Sequence, residues 1–287
     1  LDPPRGHAVH REQPPPLTMA PGPTGGVMGV LNVTPDSFSD GGHYLDLAAA
    51  VAHGRAMVDE GACIVDVGGE STRPGADPVG EDEELARVVP VIEALATDPV
   101  ITAGLVRLSI DTRHAAVAVA AVAVGASIIN DVSAGLHEVA ADLGVGWVAM
   151  HMQGDPRTMQ QEPVYDDVVA EVQTFLLDRA AVARTAGVPE VWIDPGIGFG
   201  KTTAHNVALV RHIDVLVASG WPVVLGVSRK RFLGELTAAS DGDHLVTPPE
   251  DRAEASVAMA TWSFARGVQI VRAHDVRATV GAARVVG

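Results

Sequence analysis

Val191-Trp-Ile-Asp-Pro-Gly-Ile-Gly-Phe-Gly-Lys201 is the stretch that decides the fold. It opens as a short apolar strand, Val191 to Ile193. A carboxylate, Asp194, stands where the strand must end, because Pro195 cannot donate a ladder hydrogen bond. Three glycines alternate through Gly200, giving a backbone able to approach a ligand closely. Lys201 then leads into a helical pattern. Their spacing matches neither a Walker loop nor a dinucleotide fingerprint. An acid at a strand end followed by a Gly-rich turn is how α/β proteins place a ligand-reading group.

The same layout recurs along the chain. Strands are expected at 27–33, 63–67, 106–110, 127–129, 147–150, 191–193, 223–227 and 268–272. Helical patterns follow at 47–60 (with Asp46 as N-cap), 81–96, 114–124, 137–142, 165–186, 204–218 and 276–286. After the seventh strand a short helix, a polar loop at 239–249 and a helix at 250–266 are expected. Eight near-equal strand–helix units, with no break in composition after residue 26, predict a single (β/α)8 TIM barrel, an α/β fold. A doubly wound sheet is the alternative. Residues 1–25 are proline-rich with scattered charge and are expected to form a disordered tail; residues 26–287 form the barrel domain.

Composition narrows the function. The chain has 287 residues, 47% of them hydrophobic but only 4% aromatic, so the core is built from Val, Ile, Leu and Ala. Its formal net charge is −16, which argues against a nucleic-acid or anionic-membrane surface. The single cysteine, Cys63, excludes a disulfide framework and reads as a buried thiol in a cytoplasmic protein. No apolar run approaches the roughly 18 residues of a membrane span. Among the histidines, His43, His53, His114, His205, His212 and His244 have no ligand spacing between them and read as surface residues.

Nearly every strand ends in a group suited to ligand contact: Asn32, Glu70 to Arg73, Asp111, Asn130, His151, Asp194, Ser228 to Lys230, and Arg272 with His274. A barrel gathers strand ends on its C-terminal face. Asp111, Asn130 and Asp194 offer acceptors and donors matched to a flat heterocycle with an amidine-like edge. The only lysines are Lys201 and Lys230. Lys230, Arg272 and His274 sit apart from the acids, on strands seven and eight, which suggests a substrate with an aromatic end and an anionic end. Lys201 either caps its loop or touches substrate; His151 either hydrogen-bonds locally or takes part in the chemistry; Asp131 supports its own turn.

From residue 27 to the end, the chain resembles the dihydropteroate synthase family. The resemblance rests on Met28-Gly-Val-Leu-Asn-Val-Thr-Pro-Asp-Ser-Phe-Ser-Asp-Gly-Gly42, Asp66-Val-Gly-Gly-Glu-Ser-Thr-Arg-Pro-Gly75, Ser109-Ile-Asp-Thr112, Asn130-Asp-Val-Ser133, Met150-His-Met-Gln-Gly154, Asp194 to Lys201, Ser228-Arg-Lys-Arg-Phe-Leu-Gly234 and Arg272-Ala-His-Asp-Val276. Their order and spacing together are highly specific.

The resemblance implies a transferase of folate biosynthesis. Such enzymes join p-aminobenzoate to 6-hydroxymethyl-7,8-dihydropterin diphosphate and release pyrophosphate. It assigns Asp111, Asn130, Met150, Asp194, Phe199 and Lys230 to the pterin. Asn32, Thr72, Arg272 and His274 fall to the diphosphate, with Asn32 also at a Mg²⁺ ion. Phe38, Ser71, Thr72, Arg73, Pro74, Ser228 and Arg231 fall to p-aminobenzoate. Lys230, Arg272, His274 and Asp111 are the expected catalytic residues. Family members also suggest a homodimer. Two rival readings are a pterin-dependent methyltransferase, against which the cations Lys230, Arg272 and His274 speak, and a catalytically silent pterin-binding paralogue.

Overall fold

The structure is a computed structural model that describes residues 25–33, 43–70, 78–155, 157–242 and 245–286. The expected tail (apart from Gly25), Phe38, Ser71, Thr72, Arg73, Pro74, His244 and the side chain of His43 lie outside the described residues.

Eight strands run parallel: β1 (Gly26–Asn32), β2 (Ile64–Gly68), β3 (Arg107–Asp111), β4 (Ile128–Asp131), β5 (Gly146–Met150), β6 (Val191–Asp194), β7 (Val224–Gly226) and β8 (Ile270–Ala273). Their order is β6-β5-β4-β3-β2-β1-β8-β7. The two ends of this order meet: Ile193 bridges Val223 in parallel, and Ile193 N donates to Pro222 O at 3.0 Å. An open doubly wound sheet would leave β6 and β7 as separate edges. The fold is therefore a (β/α)8 barrel.

The helices are α1 (His43–Asp59), α2 (Glu81–Ala96), α3 (Pro99–Thr102), α4 (Ala115–Ala123), α5 (His137–Leu143), α6 (Val168–Ala186), α7 (Thr203–Arg211), α8 (Ile213–Val217), α9 (Arg231–Asp241), α10 (Ala253–Ala265) and α11 (Val276–Val286). Among the described residues no helix is long and apolar enough to cross a membrane.

The period-2 alternation of each strand divides the core in two. Outward residues such as Val65, Val67, Leu108, Ile110, Ile129 and Val271 pack under the helices in the main core. Inward residues Met28, Ile64, Ile128, Val148, Trp192, Val224 and Ile270 form a separate cluster filling the base of the barrel. Arg107 closes that base, ion-paired to Glu190 at 2.6 Å and lying over the Trp192 ring. Cys63 is also at this end, its thiol donating to Val27 O, and burial pushes its pKa up. Further along the strands the inward positions turn polar: Asp66, Asn130, Asp194 and Arg272.

Several element boundaries differ from those expected. Helix α1 begins at His43, so Asp46 lies within it and is not its cap. Helix α6 begins at Val168, three residues later than expected, because the Asp167 side chain accepts from Val169 N and Ala170 N and fixes the start there. The expected 204–218 helix is two helices joined at His212, whose backbone (φ −107°, ψ 27°) leaves the helical range. The expected 250–266 helix is a 3-10 turn, Pro249–Asp251, followed by α10. Helix α9 extends to Asp241 and shortens the polar loop.

Candidate active site

The C-terminal ends of the strands bring Asp111, Asn130, Asp194 and Arg272 together on the inner wall, where adjacent strands hold them in register: Asp111 pairs with Asn130 across β3 and β4, and Met150 with Asp194 across β5 and β6. All of them except Arg272, which is partly exposed, are buried.

Arg272 does not stand free for an anion alone. Its Nε donates to Asp66 Oδ2 at 2.6 Å and its Nη2 to Asp111 Oδ2 at 2.7 Å. Asn130 Nδ2 donates to the same Asp66 oxygen at 2.9 Å. Asp66, fully buried on β2, thus links two expected ligand-binding residues. Asp66 Oδ1 and Asp111 Oδ1 are buried and meet no hydrogen-bond partner among the described residues. Burial is the main force on Asp111; with help from Asp66 and Glu84, and against Arg272, it pushes the carboxyl up to about 7. Burial likewise raises Asp194, although Gly196 N donates to its Oδ1 at 2.7 Å.

The Asp194–Lys201 loop is pinned from several sides. Gly198 N donates to Asn206 Oδ1 at 2.8 Å, Tyr165 OH to Gly200 O at 2.8 Å, and Gln160 Nε2 to Gly198 O. Lys201 points into the protein and donates to Gly196 O, Phe199 O, His151 O and His151 Nδ1. Of its two expected roles, Lys201 takes the loop-capping one. Burial lowers it to about 7. His151 bonds locally within the same group. Burial and then Lys201 depress it to about 3, so it is neutral. On the outer side of the loop, the Phe199 ring faces Lys230 Nζ at 4.0 Å from its centroid.

His274 is set by Ser228. The hydroxyl oxygen accepts from His274 N at 3.2 Å and stands 3.0 Å from Nδ1. A hydroxyl proton given to Nδ1 leaves Nε2 as the ring's N–H donor. Burial, with Arg272 and Arg229 next, lowers His274 to about 3, so the ring is neutral. The Ser228–Lys230 turn depends on Arg229, which has φ +57° and a two-pronged pair with Asp275 at 2.7 and 3.1 Å. Arg252 Nη1 donates to Arg229 O. Arg231, expected at p-aminobenzoate, is 77% exposed and pairs with Glu235. Met150 lies inside the barrel, and Asn32 ends β1, half-buried.

Three partnerships escaped sequence reasoning. Asp66 was visible only as a charge in a buried strand, and its partner lies 206 residues away. His114 is not a free surface residue, since its Nδ1 is 2.6 Å from Glu84 of α2. Glu70 joins the same cluster but is gripped by Arg113 at 2.9 and 3.1 Å and also accepts from Val79 N. Glu70, Glu84 and His114 are grouped closely enough to hold a metal ion, yet Arg113 already neutralises Glu70. The cluster reads as a buttress that ties Glu70, on one side of residues 71–77, to Val79 on the other.

Comparison with known proteins agrees with this geometry. The model of the family described as "Pterin binding enzyme" matches residues 28–274. The dihydropteroate synthase of Mycobacterium leprae (strain TN) is 50% identical over 273 residues, covering 91% of this chain and 92% of that protein. A solved Xanthomonas albilineans dihydropteroate synthase with 4-aminobenzoic acid is 49% identical, with a TM-score of 0.80, covering 91% of this chain and 92% of that one. The X. albilineans enzyme in complex with 7,8-dihydropteroate is 45% identical, with a TM-score of 0.76, covering 91% and 92%. With its buried acids at the mouth of a parallel barrel, this chain belongs to the pterin binding enzymes, as a member of the dihydropteroate synthase family.

Proposed function

We propose that this chain condenses 6-hydroxymethyl-7,8-dihydropterin diphosphate with p-aminobenzoate, giving 7,8-dihydropteroate and pyrophosphate. The observation that carries the reading is one barrel mouth that gathers buried Asp111, Asn130 and Asp194 with Arg272, which pairs with Asp111, and with His274 and Lys230 on the neighbouring strand ends. The acids and the carboxamide read the amino-oxo edge of the pterin. Phe199 and Met150 lie against its faces, and Lys230, held over Phe199, reaches a ring acceptor.

In the reaction the bond between the exocyclic methylene carbon and the diphosphate oxygen breaks, and a bond from that carbon to the aniline nitrogen forms. The nitrogen then loses its proton. The electron-rich dihydropterin stabilises the developing positive charge, so no protein nucleophile is needed. Cys63, at the opposite end of the barrel, cannot serve as one. Arg272 and the neutral His274 N–H stabilise the leaving pyrophosphate, and positioning supplies the rest. Among the described residues the start of α9 has no side-chain cap, which supports a place there for the p-aminobenzoate carboxylate beside Ser228. Residues Phe38, Ser71, Thr72, Arg73 and Pro74 complete that half of the proposal from the sequence.

Magnesium is part of the proposal. Asn32 offers one neutral oxygen donor at a strand end. That fits Mg²⁺, which keeps several waters and is commonly held by few protein oxygens plus substrate phosphates. When bound there, it would supply charge stabilisation to the diphosphate.

A homodimer in the cytoplasm is also proposed. The exposed apolar side chains Leu236, Leu245, Val246 and Trp262, on α9, α10 and the segment between them, support a partner surface; light scattering on the purified protein tests it. The lone cysteine suits a reducing compartment.

The deciding experiment is turnover with both substrates and Mg²⁺, following pyrophosphate. Stoichiometric pyrophosphate and dihydropteroate are expected. Tight pterin binding without turnover would instead favour the silent paralogue.

A further inference from the structure

Lys201 is 2% exposed, and four acceptors surround its ammonium: Phe199 O at 2.9 Å, His151 Nδ1 at 2.9 Å, Gly196 O at 3.0 Å and His151 O at 3.3 Å. Three of these are backbone carbonyls from two segments, the end of β5 and the loop after β6. This is the coordination that a bare monovalent cation takes from a protein backbone, here filled by a cation tethered to the chain. The two segments also touch closely. A Cβ built at Gly196 would stand 1.8 Å from His151 O, so there is no room for a different approach of the loop.

We propose that Lys201 is a positioning residue for pterin recognition, acting as a tethered internal cation that fixes the 194–200 loop to the end of β5 and so sets Asp194, Phe199 and Lys230 in register with Asp111 and Asn130. The proposal rests on the reading of this loop as the pterin site. Carbonyls of Gly196 and Phe199 that converge on one point repel each other without a positive charge between them. Both residues flank what the substrate meets: Gly196 N holds Asp194 Oδ1, and the Phe199 ring faces Lys230. No group of Lys201 itself touches substrate, because its nitrogen is spent on the cage. The lowered pKa from burial agrees with an ammonium held at the limit of what the cage supports.

Truncation to Lys201→Ala vacates a cage whose acceptors suit ammonium or methylammonium. Hydrogen bonds to a charged group contribute on the order of 1.5–3 kcal/mol, which corresponds to about a 10- to 100-fold change in binding. The expected result at mildly acidic pH is a rise of about that size in KM for the pterin diphosphate, with KM for p-aminobenzoate altered less than about threefold. Ammonium or methylammonium chloride restores the pterin KM toward wild type, and sodium or tetramethylammonium chloride at equal ionic strength does not. Equal changes in both KM values, or no difference between ammonium and sodium, overturn the proposal. Lys201→Met keeps the stem and fills the cage without charge. It is expected to show the pterin-selective loss with no ammonium response, and a normal pterin KM in this variant overturns the proposal as well. Thermal midpoints of Lys201→Ala in ammonium and sodium chloride read the cage without any substrate: an ammonium-specific gain is expected, and equal midpoints count against the cage. Wild-type turnover tests the functional reading separately, so failure of one is distinguishable from failure of the other.

Discussion

Arg272 Nε lies 2.6 Å from Asp66 Oδ2, an oxygen that also accepts from Asn130. One buried carboxylate therefore orients a cation expected at the diphosphate and a carboxamide expected at the pterin. Asp66→Asn keeps the shape but removes the charge and introduces a donor facing Asn130 or Arg272. It is expected to raise KM for the pterin diphosphate by about tenfold or more, the effect of one lost charge-assisted hydrogen bond. Asp66→Ala is expected to cost about 3–5 kcal/mol of stability by breaking a buried pair, measured by urea unfolding. Wild-type values in both would remove Asp66 from the site.

Asp194→Asn tests the reading edge itself. A carboxylate opposite two donors becomes a carboxamide with a donor of its own, and the mismatch costs on the order of 1–3 kcal/mol in a closed site. Calorimetry is expected to show weaker pterin binding and p-aminobenzoate affinity changed much less. An unchanged pterin affinity would leave Asp194 as a turn residue whose carboxylate accepts from Gly196 N.

The strand ends were legible in the sequence because each polar group stands where an apolar run stops. The alternation that buries Ile64 and Ile128 in the barrel also points Asp66 and Asn130 inward. What could not be read are partnerships across the barrel. Asp66 sits in the run Ile64-Val-Asp-Val-Gly68 with no local sign that Arg272 neutralises it. The break of α7 from α8 at His212 lies in a continuous helical pattern, with no proline or glycine to announce it. The Glu84–His114 contact joins two helices that adjoin only after the barrel closes. Lys201 could be read either way from its position, and only the converging carbonyls decide between loop cap and substrate contact.

His274 and His151, both held at about 3 by burial, contribute to the pH dependence of stability in the same sense, and His274 gives the test. Burial, Arg272, Arg229 and Lys230 hold its folded-state pKa at about 3, with Asp275 opposing, against 6.5 when exposed. Between these values the unfolded chain binds more protons than the folded one, so this group's contribution is complete above 6.5 and is lost as pH falls toward 3. Asp111 acts in the opposite sense: its raised pKa, about 7, costs stability as pH rises from 3.8 to 7. His274→Gln is expected to flatten the acid limb by roughly 2 kcal/mol between about pH 6.5 and pH 4.5. Urea midpoints across that range check it; parallel curves for variant and wild type would count against a buried neutral His274.

Magnesium dependence should follow the phosphates and not the pterin ring. Asn32→Ala removes the one protein oxygen proposed for the ion. Binding of pterin diphosphate is then expected to weaken, while binding of a pterin lacking phosphates is unchanged. Chelation of Mg²⁺ should reproduce this pattern in the wild type and add little in the variant. If both pterins weaken equally, Asn32 acts on the ring and not through the ion.

The glycines of the 194–200 loop separate folding from recognition. Gly196 and Gly198 both have positive φ, +64° and +82°, a region that costs an L-residue about 1–2 kcal/mol. Their surroundings differ. A Cβ at Gly196 would fall 1.8 Å from the His151 carbonyl oxygen, a backbone atom that cannot yield without moving the end of β5. A Cβ at Gly198 meets Lys230 Cδ at 3.2 Å, part of a flexible side chain that can swing aside. Gly196→Ala is therefore expected to lose well over the backbone cost alone and to lower the melting temperature sharply, with the Lys201 cage opened. Gly198→Ala is expected to fold with about 1–2 kcal/mol less stability. Its main loss should be in pterin binding, because the Lys230 side chain must give by a few tenths of an ångström beside Phe199. Thermal unfolding and pterin calorimetry on the two variants together decide the matter. Equal melting temperatures would show that the loop is not held against β5 as described.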